Sequence, residues 1–361
     1  MNMREHLQSY LKAIINYNKN IERVWQLPFF VALAVGAVLF VGAYYNQVGL
    51  GLVCMIGVMA FLYIPNTPMH HRMAVVMCCS FGLSISFFLG LAAQSFSPSI
   101  PIVVAIVAFL SSALVRYYDL GAPGYFFFVL ACILGTFMHF ENKDLIFLVG
   151  LVSIGTMVAN IMAFLYSLSV IYIFKNLTPK PIAERGHLGF DVVVVDSLVL
   201  GVFVGFAMFL GQFLELERGY WIAVSCTAIM QGISLNTIFI KQLQRILGTI
   251  LGLVFAWWLI SIKFSAFEFA LVMMFLMFMT ELVVFRNYAL AMVFITPYTT
   301  YLAEATNFMN YDTNLLLQAR LVDVIVGSLL GLIGGFVIHN AFFRKFFVRF
   351  ANILFMRHYK H

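Results

Sequence analysis

Twelve apolar runs, each about long enough to cross a bilayer, alternate with polar loops whose positive charge falls on one side. The runs cover residues 27–45, 48–64, 73–94, 99–115, 123–140, 145–174, 196–214, 219–235, 246–262, 266–284, 288–303 and 318–342. With both ends placed in the cytoplasm, seventeen of the 21 Lys and Arg fall on the cytoplasmic side, leaving Lys143, Arg218, Lys263 and Arg320 toward the other face. The positive-inside rule expects such a bias, and an error of one helix would scramble it. The expected fold is an all-α polytopic membrane protein of about twelve transmembrane helices with both termini cytoplasmic.

The remaining composition agrees. With 63% hydrophobic and 10% charged residues, most of the surface of such a chain must be solvated by lipid. The net charge of +6 follows from loop lysines and arginines near anionic headgroups, so nucleic acid is excluded as a partner and the lipid bilayer is expected as one. Residues 1–26 read as an amphipathic cytoplasmic segment against the membrane rather than a cleavable signal peptide, and residues 343–361 as a basic cytoplasmic tail. The five cysteines lie in apolar runs without ligand spacing, so neither a disulfide framework nor a metal site is expected. Without a phosphate-binding loop, a zinc-protease motif or a nucleophile elbow, the chain reads as neither an ATP-driven pump nor an enzyme, and no cofactor is expected.

The stretch 175–191, with Pro179, Pro181, Gly186 and Gly189, is the long polar interruption and divides the chain into membrane halves 27–174 and 192–342. Sliding one half along the other by 170 residues superposes Gly49 on Gly219, Asn66-Thr67 on Asn236-Thr237, Gly82 on Gly252, Arg116 on Arg286 and Leu151-Val152 on Leu321-Val322. Six spans per half give both halves one orientation, so a 6+6 parallel repeat is expected, with a transport site between the repeats. The second half carries Gln231, Glu281, Arg320 and Asp323 within its spans. Ionisable groups at membrane depth are costly and face a bundle interior or an aqueous path.

Four local patterns carry chemistry. Arg245, Gly248, Thr249 and Gly252 share one helix face, readable as a tight packing seam with a snorkelling arginine or as a guanidinium presented to an anion. Arg320 and Asp323, three apart, read as an intrahelical ion pair or as a proton-coupling switch. Glu281 and Arg286 flank a span end as a gate or snorkelled pair, Glu281 being the alternative proton-coupling residue. Thr296-Pro297-Tyr298-Thr299-Thr300 interrupts a span, so Thr296 and Thr299 either heal a kink or line a cavity. Tyr220, Trp221, Trp257 and Trp258 read as an interfacial aromatic belt, with Trp221 the one candidate to stack on an aromatic substrate ring. Asp191 and Asp196 read as helix-start groups.

The run Tyr220-Trp221, then Thr227, then Arg245-x-x-Gly248-Thr249-x-x-Gly252 resembles the fusaric acid resistance and aromatic acid exporter superfamily. Arg286-Asn287-Tyr288-Ala289-Leu290 leading to Thr296-Pro297, and Arg320-Leu321-Val322-Asp323-Val324-Ile325-Val326-Gly327, carry the same resemblance over roughly 195–340. In the first half Val75, Cys78 and Cys79 stand where the second half has Arg245, Gly248 and Thr249, which confines the motif to one half. The resemblance implies a secondary transporter of the bacterial inner membrane that exports aromatic or other hydrophobic organic acids on the proton gradient. It also implies an organic-anion substrate, a periplasmic adaptor protein and a homo-oligomer. Arg245, Thr249, Thr227, Thr296, Thr299, Arg320 and Trp221 would then meet substrate, and Asp323 and Glu281 protons. A passive organic-anion channel and a non-transporting membrane scaffold stay open as alternatives.

Overall fold

The computed structural model describes residues 18, 24–138, 144–182, 189–216, 218–232, 234–304 and 313–340; the 1–26 segment falls largely, and the 343–361 tail wholly, outside them. The described residues form helices and no strand. These are α1 (Gln26–Tyr44), α2 (Val48–Val58), α3 (Met69–Ala93), α4 (Ile100–Tyr117), α5 (Phe126–Phe137), α6 (Leu145–Leu168), α7 (Phe190–Phe213), α8 (Tyr220–Ile229), α9 (Leu235–Ser261), α10 (Ala266–Val283), α11 (Tyr288–Glu304) and α12 (Thr313–His339). Seven helical stretches among them are long and apolar enough to cross a membrane. One of the seven, Met69–Tyr117, runs 49 residues and contains both α3 and α4. Its chain breaks at Phe96, whose φ of −141° and ψ of 87° are not helical, in a tight turn that holds Pro98.

Three expected spans are corrected in length. The stretches 48–64, 123–140 and 219–235 hold α-helices of only 11, 12 and 10 residues. Such helices rise about 15–18 Å, roughly half the ~30 Å hydrocarbon core. Hydropathy could not see where the α-helical geometry ends, because the residues beyond, such as Met59–Tyr63, which continue α2 as a 3-10 helix, are equally apolar. All three are wrapped by other helices, α8 so completely that every one of its residues is buried. Irregular backbone at membrane depth is tolerable only inside protein or against a cavity. The expected span 246–262 is corrected in the other direction. α9 starts eleven residues earlier, where the Ser234 hydroxyl accepts the Thr237 N–H at 3.3 Å as an N-cap, and this carries Lys241 and Arg245 onto the helix.

Close helix crossings run through small residues, as membrane packing requires where apolar side chains gain little from leaving lipid. α9 crosses α11 with Gly248 against the Ala289 carbonyl and Gly252 against Thr296, and α3 crosses α5 with Gly90 against the Cys132 backbone. α8 crosses α12 with Gly327 against Ile222, and α2 crosses α6 with Gly57 against Val152. Between the halves, α4 packs on α7 with Gly205 against Ala105, and α1 packs on α10 with Gly36 against Met274. A side chain on Gly248 meets backbone that cannot yield. Gly248→Val is therefore expected to cost about 1–3 kcal/mol through overpacking, read as a lower thermal unfolding midpoint in detergent.

The α4–α7 seam also carries polar groups that the sequence reading placed elsewhere. Asp196 is no free helix-start group: its Oδ2 lies 3.3 Å from Arg116 Nη1, and the adjacent Ser197 donates to Ser112 at 3.1 Å. Arg72, expected in a loop, is fully buried at the start of α3, where it donates to the Thr67 carbonyl at 2.6 Å and to Asn66 Oδ1 at 2.9 Å.

Candidate functional site

Where α2, α5 and α8 stop short, a cavity of about 590 Å³ opens between the two halves. Its walls differ in kind. The first half lines it with Ile56, Met59 and Leu62 from α2 and its terminal turn, and with Phe126, Phe127, Leu130, Ala131 and Leu134 from α5. The second half supplies Trp221 and Gln231 from the α8 segment, Lys241, Gln244 and Arg245 from α9, Thr280 and Glu281 from α10, Tyr288, Tyr298 and Thr299 from α11, and Arg320 from α12. Along α11 the lining runs from Tyr288 to Leu302, about 20 Å at helical rise.

Arg245 is 5% exposed. Its Nη1 donates to the Tyr288 hydroxyl at 2.8 Å and touches the Met292 sulfur at 3.8 Å, and its Nη2 donates to Ser225 Oγ at 3.2 Å. All three partners are neutral, and Nε is buried with no hydrogen-bond partner. Thr280 Oγ1 and Tyr298 Oη, on the same lining, are likewise buried without a partner. Polar atoms left in this state cost about 1–3 kcal/mol each, and these three belong to residues that line one cavity.

At one end of the cavity Arg320, 4% exposed, lays its guanidinium carbon 3.7 Å from the centre of the Trp221 ring and donates to Thr299 Oγ1. Cation–π contact of this kind holds a guanidinium in place while leaving other N–H groups able to donate. Trp221 and Tyr220 are therefore interior residues, 4% and 3% exposed, and leave the expected aromatic belt to Trp257 and Trp258, which are more than half exposed. At the opposite end, Lys241 lies over the Tyr288 ring and donates to Gln231 Oε1 at 3.4 Å, and Gln231 in turn donates to the Pro123 carbonyl of the first half at 2.7 Å. Asn18, whose N–H donates to the Arg286 carbonyl at 3.0 Å, borders the same end.

Of the residues singled out in the sequence, Arg245, Trp221, Thr299, Arg320 and Glu281 line this one cavity. Thr227, Thr249 and Thr296 do not: all three are fully buried, Thr227 and Thr296 returning their hydroxyls to the Ala223 and Met292 carbonyls of their own helices. Across Pro297 the helix stays continuous, its threonines bonding back along α11. Asp323 lies outside the lining, 1% exposed, with Oδ2 buried and unbonded, while the Arg320 guanidinium turns to Thr299 and Trp221. Sequence reasoning missed Ser225, Gln244, Thr280 and Tyr298 as lining or contacting residues, and missed the whole first-half wall. A single lysine four residues before Arg245 was the one available signal for a second cation on that face.

Comparison with known proteins bears on this cationic side. One relative is an uncharacterized membrane protein, YvaC, of Bacillus subtilis (strain 168), 29% identical over 153 residues. The match takes in 42% of this chain and 24% of that protein, so the chain corresponds to about a quarter of its relative's length. No solved structure matches. Residues 206–334 match the fusaric acid resistance protein-like family, and this stretch contains Trp221, Lys241, Arg245, Glu281, Tyr288, Thr299 and Arg320. The cationic wall of the cavity thus lies within the stretch that matches this family.

Proposed function

We propose that the chain is a secondary transporter of the bacterial inner membrane that exports aromatic or other hydrophobic organic acids from the cytoplasm, coupled to protons. One observation carries the reading: a single cavity sets an apolar, phenylalanine-rich wall from one half against buried arginines from the other. A hydrophobic carboxylate has the complementary surface, its ring or alkyl part on Phe126, Phe127 and Leu130 and its acid on Arg245, in the charge-assisted geometry that guanidinium favours. The family to which residues 206–334 match supports the same class.

Two six-helix units in parallel orientation supply the moving parts of this proposal. Two crossings in one half have partners in the other, α3–α5 with α9–α11 and α2–α6 with α8–α12, and the two contacts between the halves, α4–α7 and α10–α1, match each other. A cavity at the junction of two such units is suited to alternating access. The exposed Thr237 and Phe285 border the Lys241 end, and the buried Trp221, Leu134 and Arg320 close the other, so the cavity is read as facing the cytoplasm.

Flux of p-hydroxybenzoate in proteoliposomes with an imposed pH gradient tests the proposal. Uphill movement that collapses with a protonophore is the expected result. Downhill movement unaffected by the protonophore would identify a passive organic-anion channel, and absence of flux together with absence of binding would leave a scaffold.

A further inference from the structure

Lys241 and Arg245 are four residues apart on α9, so their side chains share a face, and both line the cavity. Tyr288 holds them together. Its hydroxyl accepts from Arg245 at 2.8 Å, and its ring lies 5.2 Å from the Lys241 ammonium. The other contacts of Lys241 and Arg245 are Gln231, Ser225 and Met292, again all neutral. Two like charges at this spacing repel, and withdrawing them from water without a counter-charge is costly. Lys241 and Arg245 thus meet neutral partners alone on the cavity lining, and a single carboxylate would balance one of the two charges.

We infer that Lys241 and Arg245 form a clamp for a ligand carrying two negative charges at one end, an adjacent dicarboxylate on an apolar body. This rests on the anion-binding reading of the cavity and narrows it. One carboxylate takes the Arg245 guanidinium in place of its neutral partners Tyr288 and Ser225, the second takes the Lys241 ammonium in place of the 3.4 Å contact with Gln231, and the ring lies on Phe126 and Phe127. Because Gln231 also holds the Pro123 carbonyl, a dianion at Lys241 acts directly on a contact between the halves.

Calorimetric titration of the purified full-length protein with phthalate, monomethyl phthalate and benzoate tests the clamp. Phthalate is expected to bind about tenfold or more tighter than its monomethyl ester, the worth of one further charge-assisted contact. Lys241→Gln is expected to erase that preference by weakening phthalate about tenfold more than benzoate, and Lys241→Arg to retain the preference. Thermal unfolding of each variant checks that the fold is intact. Equal affinity of the wild type for phthalate and its monoester overturns the clamp, as does a Lys241→Gln variant that weakens all three ligands by one factor. Binding of none of the three overturns the anion-binding reading itself, whereas benzoate binding without a phthalate preference overturns only the clamp.

Discussion

Arg245→Ala is expected to weaken binding of an aromatic acid by one to two orders of magnitude. Three donors on a buried guanidinium lie at the cavity wall, one of them without any partner, and the partners of the others are neutral. Hydrogen bonds to a charged group contribute about 1.5–3 kcal/mol, which is the stated factor in affinity. The substitution removes a cation that the described residues do not neutralise, so the fold should tolerate it. Tyr288 Oη, Ser225 Oγ and, more weakly, Met292 Sδ lose a donor, at about 1 kcal/mol for each hydroxyl, read in the unfolding midpoint. Arg286→Ala should matter less, since Arg286 stands at the cavity's more exposed end and donates to the Leu282 carbonyl at 3.1 Å. Calorimetry of the two variants against p-hydroxybenzoate makes the comparison. Wild-type affinity in a well-folded Arg245→Ala protein would mean that this arginine only seals the helix crossing.

Asp323→Asn is expected to abolish gradient-driven export while leaving downhill exchange and ligand binding in place. Asp323 is 1% exposed, one turn beyond Arg320 on α12, and keeps a buried oxygen without a donor. A membrane protein that retains such a group at a cost of about 1–3 kcal/mol has a use for it, and a proton pathway is the use most consistent with intramembrane carboxylates. Asparagine keeps the shape and removes the exchangeable carboxyl proton. A structural role predicts otherwise: expression, stability and every activity should change together. Uphill export with unchanged pH dependence from a normally expressed Asp323→Asn protein would move the proton path to Glu281, which lines the cavity directly.

These expectations show how unevenly the site could be read in advance. Arg320 was accessible from the sequence because a guanidinium inside an apolar run is conspicuous and needs an explanation, and Arg245 because it opens a run in which Gly248, Thr249 and Gly252 share its face. Their roles were less so. The i,i+3 spacing of Arg320 and Asp323 reads as an ion pair or a proton-coupling switch, and it gives no sign that Arg320 also meets Trp221 and Thr299, which approach from α8 and α11. Local spacing says which side chains share a helix face; it says nothing of what the neighbouring helix brings to that face. Thr249 and Thr296 failed for the same reason. Gly252 lets α11 come so close that this part of the α9 face is filled by protein and has no room for a ligand.

What the sequence alone determined is what depends on one dimension: hydropathy, charge bias and small-residue spacing made this a helical membrane chain with close glycine crossings and its ionisable groups gathered in the second half. Only the tertiary structure decided that α5 and α8 are short, that α2 passes into a 3-10 helix, and that Phe126 and Leu130 line the same cavity as Arg245. The physical reason is that apolar residues favour burial equally in lipid and in protein, so a hydropathy run cannot say where a helix ends or what it faces. Those are settled by packing between helices far apart in the chain, where backbone left unpaired at membrane depth must find protein or a cavity.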